Sequence, residues 1–81
     1  MSVVQLSDSE TAMLATALYY KTGLEKQSSE NYKEYKRISD EVRNRKSVNS
    51  FDFDKVRTAI EQFLGEIEND TLHNILAKLG A

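Results

Sequence analysis

Apolar residues return at steps of three and four through the last third of the chain: Phe53, Val56, Ile60, Phe63 and Ile67, then Leu72, Ile75, Leu76 and Leu79 after a polar break. This spacing places each set along one side of a 3.6-residue helix and predicts two amphipathic helices. Gly65 falls inside the first of them and costs about 1 kcal/mol relative to alanine if it stays helical. Either the helix ends there or a close neighbour requires the missing side chain. Asn69 or Asp70 suits the cap of a short last helix over Thr71 to Leu79, with Gly80 as its stop.

Upstream, Ser7-Asp8-Ser9-Glu10 has the spacing of a capping box and predicts the start of a first helix. Met13, Ala17, Tyr20 and Leu24 form its stripe, widened by Leu14 and Leu18. Gly23 before Leu24 predicts a left-handed cap, with the helix stopping near Thr22. Ser28 or Ser29 caps a second helix reaching about Lys46, with Tyr32, Tyr35, Ile38 and Val42 on its inner side. Ser47 to Asp52 reads as a loop whose Ser50 or Asp52 caps the helix that begins at Phe53. The paired acids Asp52 and Asp54 are explained by the positive end of that helix without any ligand.

These elements predict an all-α protein, a small helical bundle of three longer helices plus a short C-terminal helix, forming a single domain over residues 1–81. The expected core is Met13, Leu14, Ala17, Leu18, Ile38, Val42, Val56, Ile60, Phe63, Leu64, Ile67, Leu72, Ile75 and Leu76. A domain of 81 residues leaves much of its surface exposed. Homo-oligomer formation through the second helix or the tyrosines is expected to supplement its stability.

Composition narrows the chemistry. The absence of cysteine removes disulfides, thiolate ligands and cysteine nucleophiles together. No apolar run approaches the roughly 20 residues that cross a bilayer, and no signal-peptide pattern opens the chain, so no membrane role and a cytoplasmic location are expected. His73 is the sole imidazole, and Asp70 and Glu66 near it make no metal site or triad spacing. No metal and no cofactor are expected, and no phosphate loop or dinucleotide fingerprint occurs. An enzymatic reading would rest on His73 with Asp70 and Glu66 alone.

The charge distribution says more than the net value of −2. Residues 29 to 48 carry six basic and four acidic groups, whereas residues 49 to 81 carry three and six. Tyr32-Lys33-Glu34-Tyr35-Lys36-Arg37 alternates aromatic and basic side chains, and Tyr19, Tyr20 and Lys21 precede it on the first helix. Such a patch suits a protein interface, where tyrosine and arginine supply contact area. It also suits nucleic acid or a phosphate-rich nucleotide, with stacking and charge neutralisation. Glu30, Glu34, Asp40 and Glu41 offer pairs at three and four residues to Lys33, Arg37, Lys36 and Arg45, the dressing of a solvated helix.

Ile60, Phe63, Leu64 and Gly65, followed by Thr71, Leu72, Ile75 and Leu76, resemble the helix, glycine turn and second helix of the helix-turn-helix family over about 18 residues. The resemblance implies contact with DNA. The chain departs from the family in the length of its Glu66 to Asp70 connection. Acids at 66, 68 and 70 also surround a recognition helix that offers only Thr71, His73, Asn74 and Lys78, and a packed helical hairpin accounts better for the pattern.

The expected function is a non-catalytic interaction module, an inhibitor, adaptor or regulator that binds a protein partner, of a style shared with proteins of phages and mobile elements. Its expected partner-binding residues are Tyr19, Tyr20, Tyr32, Tyr35, Lys36 and Arg37. The alternative is an anion-binding patch of Lys33, Lys36 and Arg37 for nucleic acid or a nucleotide, or a degenerate helix-turn-helix protein that binds DNA.

Overall fold

The computed structural model describes residues 3–80 as four α-helices and one short pair of strands. In chain order these are β1 (Val3–Gln5), α1 (Asp8–Leu24), α2 (Glu30–Arg45), β2 (Ser47–Asn49), a single 3-10 turn (Ser50–Asp52), α3 (Phe53–Leu64) and α4 (Asp70–Lys78). None of the helices is long and apolar enough to cross a membrane. The architecture is mostly helical, as the periodicity requires. The last two helices shorten progressively to 12 and 9 residues.

The helix starts follow local chemistry. Ser7 accepts from the Glu10 amide at 3.1 Å while Glu10 accepts from the Ser7 amide at 2.8 Å, which completes the capping box. Ser29 caps α2 through the Tyr32 amide, and Asn69 caps α4 through the Leu72 amide. Asp52, by contrast, precedes α3 without capping it; its carboxylate is buried and engaged elsewhere.

The helix ends depart from expectation. Gly23 stays helical and α1 continues to Leu24, where an extended Glu25 stops it. The left-handed position falls instead on Lys46, at φ 52°, after α2. Three bonds hold this uncommon conformation for a side-chain-bearing residue: the Lys46 amide donates to the Val42 carbonyl at 2.8 Å, its carbonyl accepts from the Leu6 amide at 2.9 Å, and its ammonium reaches Asp8 at 2.7 Å. Gly65 ends α3 with ordinary negative φ, and an added methyl there would meet the Gln62 carbonyl at 3.2 Å.

The segment expected as a loop, Ser47 to Asp52, contains β2, which pairs antiparallel with β1 in the register Val3 to Asn49, Val4 to Val48 and Gln5 to Ser47. Three residues are too few to display alternation in sequence, so the strands were hidden from a periodicity reading. Pairing buries Val48 and places Leu6 in the core.

The core centres on Leu14, Ala17 and Leu18 of α1, packed with Ile38 and Val42 of α2, Val56, Ala59 and Ile60 of α3, and Leu72 and Ile75 of α4. Met13, Phe63, Leu64 and Leu76 reach it only in part. One expected member of the core and one of the α1 stripe are misplaced. Ile67 lies in the turn after Gly65 and is 50 % exposed, because α3 has already ended. Leu24 is exposed at the end of α1, whose buried side runs through Leu14, Leu18 and Lys21.

The ends of the chain are tied to this core by charge. Lys78 of α4 donates to Glu10 at 2.7 Å, and Arg57 of α3 donates to the Leu79 carbonyl at 3.2 Å. The Lys78 ammonium, followed by the Ser7 amide, holds the Glu10 carboxyl below the ordinary 4.5. A lowered native value means that the stabilisation is complete above about pH 4.5 and is lost as pH falls through the lower native value. Stability measured by urea unfolding should therefore decline on acidification below that point, and Glu10→Gln should flatten the decline. Truncating Ile60→Ala, with its side chain fully enclosed, should cost about 2–5 kcal/mol. Ile67→Ala should cost under about 0.5 kcal/mol in the same measurement.

Candidate functional site

Helices α1 and α2 run side by side and meet along a seam with two sides. The inner side is closed by α3 and α4. Its outer side is an open groove of about 400 Å³ lined by Ala15, Thr16, Tyr19 and Thr22 of α1 and by Tyr32, Lys36, Ser39, Asp40 and Arg43 of α2. A second hollow of about 240 Å³ continues it past Tyr19 and Tyr32 toward Gly23, Glu25 and Gln27. The two tyrosines thus stand between two parts of one trough.

Helical spacing explains the lining. On α2, positions 32, 36, 39 and 43 recur at four, three and four residues, a stripe beside the buried one of 35, 38 and 42. Positions 15, 19 and 22 do the same on α1. Small side chains at Ala15, Thr16 and Ser39 make the floor, so the helix backbones are approachable there. The Thr16 and Thr22 hydroxyls donate to the carbonyls four residues back, at 3.0 and 2.7 Å. Their methyl groups remain to face outward.

Tyr19 is 80 % exposed, the most exposed large apolar side chain of the described residues. Tyr32 is half-buried beside it. Lys36 is exposed and has no carboxylate within ion-pair distance among the described residues, whereas Arg43 is paired with Asp40 at 2.7 Å. Lys33 lies exposed on the outer side of α2, 4.0 Å from Glu30.

The six residues expected to form one contact patch divide among several places. Tyr19, Tyr32 and Lys36 meet in the groove. Tyr20 leaves it for the opposite flank of α1, where its ring lies 5.2 Å from that of Phe63 and tilted by 57°. Tyr35 is only 4 % exposed and belongs to the core, with the ammonium groups of Lys21 and Lys55 at 5.4 and 5.5 Å from its ring centre. Burial pushes its hydroxyl above the ordinary 10.0. A ring enclosed in this way offers no contact surface to a partner, which corrects its assignment.

Arg37 is likewise spoken for. Its guanidinium donates to Asp52 at 2.9 Å, to Glu34 at 3.0 Å and to Glu41 at 2.9 Å, and it stands over the Phe51 ring at 5.9 Å. The hydrogen bond to Asp52, then that to Glu34, raises its already high pKa further. With three carboxylates around it, Arg37 is a fastening between α2 and the 3-10 turn and leaves no free charge for an anion. Phe51 stands beside this fastening at 68 % exposure.

The hairpin of α3 and α4 places Thr71, His73, Asn74 and Lys78 on its last helix. Lys78 is engaged by Glu10 and the Gln5 carbonyl, and His73 contacts Glu68, not Asp70 or Glu66. Among the described residues, no three His, Cys, Asp or Glu side chains gather as metal ligands do. Comparison with protein-family models, with curated proteins and with solved structures gives no match for this chain.

The groove members Ala15, Thr16, Ser39, Asp40 and Arg43 escaped the sequence reading because it followed apolar stripes. The signal was present in the polar stripe of α2 beside them. The Asp52 side chain, 6 % exposed, depends on Arg37 as its one ion-pair partner among the described residues. Arg37→Ala should therefore destabilise the fold by about 1–3 kcal/mol in urea unfolding, with most of the loss coming from the stranded carboxylate.

Proposed function

We propose that this chain is a small non-catalytic interaction module of the cytoplasm, an inhibitor, adaptor or regulator, that receives a protein partner in the α1–α2 groove. The carrying observation is Tyr19, 80 % exposed above a floor of Ala15, Thr16 and Ser39 and flanked by Tyr32 and Lys36. An amphipathic ring held out by a helix loses little conformational freedom on binding, and small floor residues let a partner approach closely. Lys36 adds an uncommitted positive charge that steers the encounter and selects among partners.

The same Lys36, with Lys33 and Arg43 near it, favours a second reading in which the trough holds nucleic acid or a phosphate-rich ligand and the tyrosine rings stack on bases. The two readings separate on salt. Phosphate contacts release counterions, so nucleic-acid binding falls steeply as salt rises, whereas a protein interface built on tyrosine responds mainly in its association rate. The α3–α4 hairpin supports DNA contact less well, since its Lys78 is already bonded within the fold.

A photoreactive phenylalanine in place of Tyr19 should form a discrete adduct with a protein in host lysate, insensitive to nuclease. Against the captured partner, Tyr19→Ala and Tyr32→Ala should each weaken binding about tenfold or more, and Arg37→Ala should not beyond its effect on folding. Adducts that vanish with nuclease, or binding unchanged in the Tyr19→Ala/Tyr32→Ala variant, would remove this assignment.

A further inference from the structure

We infer that one occupant of the groove is a second copy of this chain, which inserts the acidic turn between α3 and α4, so that copies associate head to tail. This rests on the groove's being a partner-binding surface as proposed above, and it names the partner.

The first half of the argument is charge. Between Arg57 and Lys78 the chain has no lysine or arginine, while Glu61, Glu66, Glu68 and Asp70 carry four carboxylates, all on exposed residues. Only Glu68 has an ion-pair partner among the described residues, and that partner is His73. The groove presents the complementary charge in Lys36, which is unpaired among the described residues, with Arg43 beside it sharing its charge with Asp40 at 2.7 Å and Lys33 on the adjoining side of α2, 4.0 Å from Glu30. Opposed patches of this kind attract across a Debye length and orient the approach.

The second half is shape. Ile67 is half exposed at the tip of that turn, between Glu66 and Glu68, where like charges flank an apolar side chain that the fold does not cover. The floor of Ala15, Thr16 and Ser39 and the walls of Tyr19 and Tyr32 form the kind of hollow that a branched side chain fills, with cations at its rim for the neighbouring carboxylates.

The third is placement. Asn69 donates to the Met13 sulfur at 3.5 Å and Phe63 packs on Tyr20, so the turn lies on the Met13–Tyr20 flank of α1. Ala15 and Thr22 are turned well away from that flank, and Thr16 and Tyr19 stand between the two. Turn and groove thus occupy different sectors of the surface around α1. Because the two surfaces differ, the contact is heterologous and extends into an open chain or a ring.

Sedimentation velocity on the full chain at low salt tests this directly. The mass should rise above the monomer's 9.3 kDa with concentration and return toward it as salt is raised from about 20 mM to about 500 mM. Glu61→Lys/Glu66→Lys and Lys36→Glu/Arg43→Glu, all at exposed positions, should each lower the association constant about tenfold or more, and mixing the two variants should restore it. Circular dichroism confirms that the variants remain folded.

A mass of 9.3 kDa throughout, association that survives either reversal, or failure of the mixture to associate would each overturn the inference. If the protein stays monomeric while position 19 captures a different protein, self-association falls and the module stands. If it stays monomeric and position 19 captures nothing, both fall.

Discussion

Helix α1 is the surface on which every other helix is built. Leu14, Ala17 and Leu18 are fully enclosed because α2, α3 and α4 all pack on this one element. Three partners on one helix leave only part of its circumference to solvent, and that part is the flank of Ala15, Thr16, Tyr19 and Thr22. A domain of this size has little apolar surface to spare. Its core is therefore the contact of α2, α3 and α4 with α1, and the open groove is the outer side of the α1–α2 seam.

The same geometry sorts the aromatic and basic run of α2. Consecutive residues on a helix point about 100° apart, so a sequence that reads as one patch is distributed around the cylinder. Tyr35 turns inward and is flanked by Lys21 and Lys55, Arg37 turns toward Asp52 and fixes the 3-10 turn, and Tyr32 with Lys36 turns outward to the groove. Structural and surface roles alternate within six residues. The burial of Asp52 with Arg37 also explains an acid that seemed to need only a helix cap.

Charge is partitioned in a similar way. Several basic groups are consumed by short pairs, Lys21 with Glu25, Lys46 with Asp8 and Lys78 with Glu10 among them. What is left over is uneven, with lysine and arginine on the outer side of α2 and carboxylates on the turn after α3. Surface pairs contribute little to stability individually.

Local chemistry alone determined much of this protein. The capping box at Ser7, the caps at Ser29 and Asn69, the four helices and most of the core follow from side chains within a few residues of one another, because a helix is a local structure. The strand pair was illegible because β1 and β2 are more than forty residues apart and too short to carry a period. The left-handed Lys46 was illegible because its three supporting bonds include two to the Leu6–Asp8 region. The fate of each tyrosine was decided only by tertiary packing. Composition makes Tyr19, Tyr20, Tyr32 and Tyr35 alike, and only the arrangement of α3 and α4 against α1 and α2 determines which ring is enclosed and which stands in water.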